Sequence, residues 1–106
     1  MTVVAVSDAT FAAEVLAADR PVVVDYWADW CAPCKQLTPV IEAFAAEYAG
    51  RVKFVSLDAN AHTATPLAHG VINLPTVQAF RDGEMVAVLA GNVTKGKLRQ
   101  MIEDLA

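Results

Sequence analysis

The two cysteines of this 106-residue chain, Cys31 and Cys34, stand in the segment WCAPCK at residues 30–35 with two residues between them. A disulfide across so short a separation closes a small loop, and therefore removes little conformational entropy from the unfolded chain. The pair is a poor structural staple for that reason. It suits reversible dithiol chemistry, because the second sulfur is always within reach of the first. We therefore expect the rest of the chain to position and tune these two sulfurs.

Length and charge exclude several classes of protein. A chain of 106 residues has room for one ordinary core, so we predict a single domain over residues 1–106. Hydrophobic residues make up 56% of the sequence, which supports a compact core and argues against disorder. The net charge of −4 disfavours nucleic acid or an anionic membrane as the partner. Two cysteines are also too few for a secreted disulfide scaffold.

The sequence contains no pattern typical of export or membrane insertion. Residues 1–8 lack the basic start and sustained apolar stretch of a signal peptide. No run approaches the roughly 18 apolar residues that a membrane-spanning helix needs. We therefore expect a cytoplasmic protein that does not associate with membranes.

Hydrophobic periodicity predicts alternating strands and helices, with Ser7 or Asp8 capping the first helix. The Asp-Gly pair at residues 82–83 predicts a tight hairpin between the last two strands. The order β-α-β-α-β-α-β-β-α indicates an α/β protein whose mixed five-stranded sheet is flanked by four helices. The strands are expected at 3–6, 22–28, 52–58, 74–80 and 85–89, and the helices at about 8–18, 34–48, 60–69 and from 94 onward.

The second predicted strand contains one charged residue, Asp25. Its neighbours form a nearly continuous apolar run over residues 22–28, without polar alternation. Such a run is typical of a strand that is covered on both faces. Asp25 is therefore expected to be buried, either with a chemical role or in ordinary hydrogen bonds.

Along essentially its whole length the chain resembles the thioredoxin family. The family's segments occur in order, and the cysteine pair stands at a strand-to-helix junction with an X-Pro-Thr segment further along, a much more specific combination than CxxC alone. The resemblance implies the thioredoxin fold, a cis peptide before Pro75, and thiol–disulfide exchange with protein substrates. The matching segments are VDYWA at 24–28, WCAPCK at 30–35, LPT at 74–76, DG at 82–83 and AG at 90–91.

Two positions depart from the family pattern. Ala32 replaces the usual Gly between the cysteines, which leaves the fold unaffected because Ala suits a helix N-terminus. Alignment of the third strand places Phe54 where many bacterial members have a lysine near the buried aspartate. Lys53 is adjacent but is expected to point to the other face. Without a nearby cation, the pKa of Asp25 is expected to lie above the family's usual value.

The resemblance implies a role for each residue of the site. Cys31, at a helix N-terminus that favours an anion, is the nucleophile, and Cys34 is the resolving thiol. Asp25 is the general base and acid for Cys34. Ala32 and Pro33 tune the redox balance. An apolar docking surface for an extended peptide is expected from Trp30, Ile72, Leu74, Pro75, Gly91 and Asn92.

The same resemblance implies the partners. The redox-active disulfide replaces any bound cofactor, and electrons come from NADPH through a separate flavoprotein, thioredoxin reductase. The expected substrates are disulfide-containing proteins such as ribonucleotide reductase, peroxiredoxins and methionine sulfoxide reductases. The protein is expected to act as a monomer in maintaining cell redox homeostasis.

Alternative interpretations stay open at this point. A zinc site would need His62 and His69 as further ligands, although zinc motifs favour a closer histidine spacing. A disulfide oxidase or isomerase on this fold typically has His between the cysteines, whereas Ala-Pro supplies no donor to stabilise the thiolate. A non-catalytic assembly subunit is a third alternative. Trp27 either packs in the core or shields the cysteine pair.

Overall fold

The computed structural model describes residues 3–106; Met1 and Thr2, which belong to the predicted domain of residues 1–106, lie outside the described residues. The order of the elements agrees with the prediction. The strands are β1 (Val3–Val6), β2 (Val22–Trp27), β3 (Lys53–Asp58), β4 (Thr76–Arg81) and β5 (Glu84–Ala90). A π-helical segment (Ala12–Leu16) follows β1, and the α-helices are α1 (Ala32–Glu47), α2 (Ala64–Ala68) and α3 (Lys95–Leu105).

The five strands form one mixed sheet in the order β1-β3-β2-β4-β5. Strands β1 and β2 run parallel to β3 between them, while β4 is antiparallel to both β2 and β5. This arrangement confirms the predicted α/β fold with its five-stranded sheet. It also makes β2 the central strand, so the segment that leads into the cysteine pair is covered by neighbours on both edges.

Each face of the sheet has its own hydrophobic core. On one face, side chains of β2 and β4 such as Val23 and Val77 pack against α1 and α3, with Phe44 and Ile102 among the buried helical residues. On the other face, Val24 and its neighbours pack with residues from the π-helical segment and from the chain before β4.

Asp25 alternates with Val24 along β2, so it lies on the α1 face. The residues 22–26 of β2 are all buried, as the apolar run predicts.

The first helix is shorter than predicted. A turn occupies residues 8–10, and the π-helical segment covers only part of the expected range of 8–18. Ser7 accepts the N–H of Thr10 at 3.2 Å within this turn. The π-helical segment itself has Phe11 at its N-cap and no side-chain cap hydrogen bond, so the prediction that Ser7 or Asp8 caps it is wrong. The carboxylate of Asp8 instead accepts the N–H groups of Ala64 and Thr65, at 3.2 and 2.8 Å, at the start of α2. Asp8 therefore caps a helix that is remote in sequence.

Candidate active site

Cys31 is the N-cap residue of α1. Its backbone is extended, with φ −95° and ψ 100°, and its N–H donates to the carbonyl of Ala28 at 3.1 Å. The Sγ atom of Cys31 accepts the backbone N–H of Cys34 at 3.2 Å. Pro33 fits the first turn because the N–H that it lacks would have no partner within the helix. The sulfur of Cys31 thus lies where free N–H groups and the helix dipole stabilise a negative charge.

The two cysteines form a disulfide with their Cα atoms 5.3 Å apart. Cys31 is 4% exposed and Cys34 is 2% exposed, so neither cysteine is freely open to solvent. Both pack with Ala28, and Trp27 and Leu74 cover this cluster. Trp27 therefore contacts the cysteine cluster directly; its role, in core packing or in shielding the pair, stays a prediction.

Asp25 lies buried behind the cysteine pair. Its side chain is 4% exposed, and its Oδ1 atom has no hydrogen-bond partner among residues 3–106. Asp25 and Cys34 line the same cavity, whose volume is about 300 Å³. Burial raises the pKa of Asp25 from 3.8 to about 7, since removal from water disfavours the charged carboxylate. Desolvation is the cause of this rise, and the comparison with the family's usual value stays a prediction.

The position beside Asp25 on β3 is Ser56, so the placement of Phe54 there is wrong. The parallel register pairs Asp25 with Ser56 and pairs Val23 with Phe54. Phe54 lies on the same face two residues earlier and packs in the core with Val23. Ser56 is uncharged, so the conclusion that β3 places no lysine beside Asp25 survives the correction.

Lys53 is directed away from Asp25, as expected from strand alternation. It pairs in register with Val22, whose side chain belongs to the opposite core. Its Nζ atom lies 2.8 Å from the carboxylate of Glu14 in the π-helical segment. Lys53 is thus already paired on the opposite face of the sheet from Asp25.

The peptide bond between Leu74 and Pro75 is cis, which confirms the implication of the family resemblance. The N–H of Gly91 donates to the carbonyl of Pro75 at 3.0 Å, and this bond holds the end of β5 beside the start of β4. Gly91 has φ of 76°, a left-handed conformation that glycine adopts without steric cost. Thr76 donates its hydroxyl to the carbonyl of Asn73 at 2.7 Å and fixes the segment before the proline.

The predicted docking residues line two depressions. A groove of about 380 Å³ is lined by Trp30, Ile72 and Leu74. A smaller depression of about 190 Å³ is lined by Pro33, Pro75, Gly91 and Asn92. Trp30 is 70% exposed and Ile72 is 93% exposed, an unusual degree of exposure for large apolar side chains. The first depression is hereafter the Trp30 groove.

Sequence reasoning missed Leu67 and Ser56. Leu67 is 82% exposed on α2 and lines the Trp30 groove beside Ile72. In the sequence Leu67 is one apolar residue on a short helix with weak hydrophobic periodicity. Such a pattern does not distinguish the exposed face of the helix from its buried face. Ser56 could be identified only through the register between β2 and β3, which arises from contacts distant in sequence.

The two histidines do not join the cysteines in a metal site. Within residues 3–106, no three His, Cys, Asp or Glu side chains are grouped so that they could hold a metal ion. The ring of His69 lies against Phe11 and Phe80, with ring centroids 5.0 and 5.5 Å away. In the part of the chain that the structure describes, no helix has both the length and the apolar character needed to cross a membrane.

Comparison with known proteins shows similarity to thioredoxins over nearly the full chain. The family model described as Thioredoxin matches residues 2–104. The chain is 43% identical to Thioredoxin C-2 of Corynebacterium nephridii over 102 residues, covering 96% of this chain and 94% of that protein. It is 41% identical to a thioredoxin of Pseudomonas aeruginosa, covering 95% and 94%, and 42% identical to a thioredoxin of Allochromatium vinosum, covering 96% and 95%.

Proposed function

The chain belongs to the thioredoxin family, and from that premise we propose that it reduces protein disulfides through the reversible Cys31–Cys34 disulfide. The observation that carries the proposal is the position of Cys31 at the N-cap of α1. There its sulfur accepts the N–H of Cys34 and can return to a disulfide with that same residue. The family acts by dithiol–disulfide exchange, and its partners are disulfide-containing substrates and a reductase.

The first step is attack by the thiolate of Cys31 on one sulfur of a substrate disulfide. A bond forms between Cys31 and that sulfur, the substrate disulfide breaks, and the other substrate sulfur leaves as a thiolate that takes up a proton. The Cys34 N–H and the dipole of α1 stabilise the attacking thiolate. The product of this step is a mixed disulfide between the substrate and Cys31.

The second step is attack by Cys34 on the Cys31 sulfur of the mixed disulfide. Cys34 must lose its proton first, and its burial opposes this loss. Asp25 lines the same cavity and is the proton acceptor in this proposal, because a pKa of about 7 suits proton exchange near neutral pH. The step releases the second substrate thiol and restores the Cys31–Cys34 disulfide, so the substrate gains two electrons and the protein loses two.

Substrate binding in this proposal uses both depressions that flank Pro75. An extended peptide carrying the target cysteine lies across Leu74 and Pro75, with apolar side chains in the Trp30 groove. The smaller depression holds the chain on the side of Gly91 and Asn92. Binding energy from both depressions holds the target sulfur in line with Cys31, and such orientation lowers the barrier to attack.

The dithiol is regenerated with electrons from NADPH through a separate flavoprotein, thioredoxin reductase. The proposed substrates include ribonucleotide reductase, peroxiredoxins and methionine sulfoxide reductases, and the proposed compartment is the cytoplasm. The electron donor, the substrates and the compartment are proposed on the basis of family membership. The absence of any His donor between the cysteines supports reductase over oxidase chemistry.

The test is reduction of insulin disulfides in the presence of NADPH and a bacterial thioredoxin reductase. The intact protein is expected to turn over many times. Cys31→Ser is expected to abolish turnover, and Cys34→Ser is expected to stop after one substrate is trapped as a mixed disulfide. Absence of turnover by the intact protein would overturn the proposal, and a cellular function that survives Cys31→Ser would point to the assembly subunit instead.

A further inference from the structure

The cavity behind Cys34 contains a buried acceptor that the rest of the described protein leaves unused. Asp25 projects into this space of about 300 Å³, and its Oδ1 atom has no partner among residues 3–106. Ser56, directly beside Asp25 in the register of the sheet, also lines the cavity with a side chain too short to fill it. Buried carboxylates in proteins are normally paired or hydrogen-bonded, so an unpaired one that faces open space is unusual.

The charged residues around the cavity favour a cation as its occupant. Asp29 and Glu42 are exposed and line the same space, with Lys35 as the single basic side chain there. When Asp25 is ionised, three carboxylates and one ammonium group face the cavity. A site with this excess of one sign raises the local concentration of ions of the opposite sign.

The apolar wall of the cavity and the number of ligands that each kind of cation needs indicate which cation fits. Apolar side chains of Val3, Trp27 and Ile41 form much of the wall and can cover an alkyl chain. A calcium or magnesium ion requires six or more oxygen ligands, and no group of three His, Cys, Asp or Glu side chains suited to any metal ion occurs within residues 3–106. A primary ammonium has three N–H donors on a compact charge and needs fewer fixed partners.

We propose that this cavity is a binding site for a primary alkylammonium ion. The ammonium group donates hydrogen bonds to Asp25 Oδ1 and to the hydroxyl of Ser56, and the alkyl chain lies against Val3, Trp27 and Ile41. The site goes beyond disulfide reduction, because its occupation requires neither a substrate disulfide nor a change in the cysteine pair. Cys34 lies in the same cavity, so an occupant also reaches the surroundings of the resolving thiol.

Occupation of the site is coupled to the protonation of Asp25. A cation beside the carboxylate favours its ionised form, so the ligand binds that form more tightly and lowers the pKa of Asp25. The other titratable groups that face the cavity are Cys34, Lys35 and Glu42 of α1 and Asp29 of the preceding loop. In the disulfide form Cys34 does not titrate, which simplifies the measurement.

The experiment measures the pKa of Asp25 in the oxidised protein by carbon-13 NMR during titration with propylammonium chloride at constant ionic strength. Sodium and tetramethylammonium chloride serve as matched ionic controls. A saturable fall of about one pKa unit is expected with propylammonium, which corresponds to roughly tenfold tighter binding to the ionised form. Neither control salt is expected to produce it. An equal fall with either control, or no saturable fall, would overturn the proposal.

Two variants test the location of the site. Asp25→Asn is expected to weaken propylammonium binding at least tenfold, measured by the amide shifts of residues around the cavity. Ser56→Leu fills the space without adding charge and is expected to remove the response of the Asp25 pKa. Retention of binding in Asp25→Asn contradicts the proposal. Should Ser56→Leu not fold, Ser56→Lys replaces it, and its tethered ammonium group is expected to lower the pKa of Asp25 without added ligand and to block the response.

Discussion

Asp25 reduces the stability of the folded protein at neutral and alkaline pH. Its pKa is raised from 3.8 to about 7 by burial, so between these values the folded chain holds a proton that the unfolded chain has released. The contribution of Asp25 to stability therefore falls as the pH rises from about 4 to about 7, and the loss persists above that range. At about 1.4 kcal/mol per pKa unit, the loss at high pH is on the order of 4 kcal/mol.

Replacement of Asp25 by Asn is therefore expected to stabilise the protein in a pH-dependent way. The free energy of unfolding should rise by about 2–4 kcal/mol at pH 8 and change little from this cause below pH 4. Urea unfolding at the two pH values measures the difference. Asp29→Asn, at an exposed carboxylate of the same cavity, is the control and is expected to change stability by less than about 0.5 kcal/mol. A gain of equal size at both pH values would show that the charge of Asp25 is not the cause.

Ala32 is expected to have little influence on the redox potential. It is exposed at the first residue of α1 and offers no side-chain donor or charge to either sulfur. Ala32→Gly should shift the potential of the cysteine pair by less than about 30 mV, which is about 1.4 kcal/mol for this two-electron couple. Equilibration with a glutathione buffer measures the potential. A larger shift would show that the backbone of residue 32 influences the thiolate in a way that its exposure does not suggest.

At the scale of the elements, buried polar contacts of Gln78 connect β2, β4 and the C-terminal end of α2. Gln78 is 1% exposed; its Oε1 accepts the hydroxyl of Tyr26 at 2.9 Å, and its Nε2 donates to the carbonyl of His69 at 2.8 Å. His69 ends α2 just before the segment that contributes Val71, Ile72 and Leu74 to the Trp30 groove. These contacts thus tie the position of that segment to the central strands.

Gln78→Leu is expected to destabilise the protein because it leaves the buried hydroxyl of Tyr26 and the partly buried carbonyl of His69 without these hydrogen bonds. Each unsatisfied group costs about 1–3 kcal/mol, so the free energy of unfolding should fall by about 2–5 kcal/mol. Adding Tyr26→Phe removes the hydroxyl that Gln78→Leu leaves unbonded, and it should restore part of the lost free energy of unfolding. The double-mutant cycle measured by urea unfolding should therefore be non-additive. Simple additivity of the two changes would contradict the contact. Arg20→Gln, which breaks the exposed pair with Asp19, is the control and should cost less than about 1 kcal/mol.

At the scale of the whole molecule, the apolar surface is unevenly distributed around the cysteines. Large exposed apolar side chains gather at the Trp30 groove, from the turn before α1, from α2 and from the segment before Pro75. Only the fold brings these three stretches to one edge. Val86 and Val88 of the edge strand β5 are also exposed, about half each, but they do not line the groove.

The double variant Leu67→Ser and Ile72→Ser is therefore expected to weaken recognition of protein substrates. Loss of two apolar contacts of about 1 kcal/mol each should raise KM for insulin reduction roughly thirtyfold. The rate with a small soluble disulfide such as hydroxyethyl disulfide should stay unchanged, since it is too small to reach the groove. Val86→Ser with Val88→Ser removes similar apolar surface and should leave both measurements unchanged. A parallel loss with both substrates would indicate damage to the cysteine site instead.

The sequence by itself determined the features that depend on local spacing. Two residues between Cys31 and Cys34, the apolar run around Asp25 and the Asp-Gly turn each act through neighbours in the chain, and each was predicted correctly. Family resemblance added the cis bond before Pro75. These features follow from short-range geometry and burial, which a linear pattern encodes directly.

Only the tertiary structure decided which distant residues meet. It paired Ser56, and not Phe54, with Asp25, and it directed the Asp8 carboxylate to the start of α2. It also added Leu67 to the Trp30 groove. Strand register and helix packing result from the sum of many long-range contacts, and a shift of two residues keeps every side chain on the same face of the sheet. The alternation of apolar residues along β3 is therefore the same for both registers, and only the packed sheet distinguishes them.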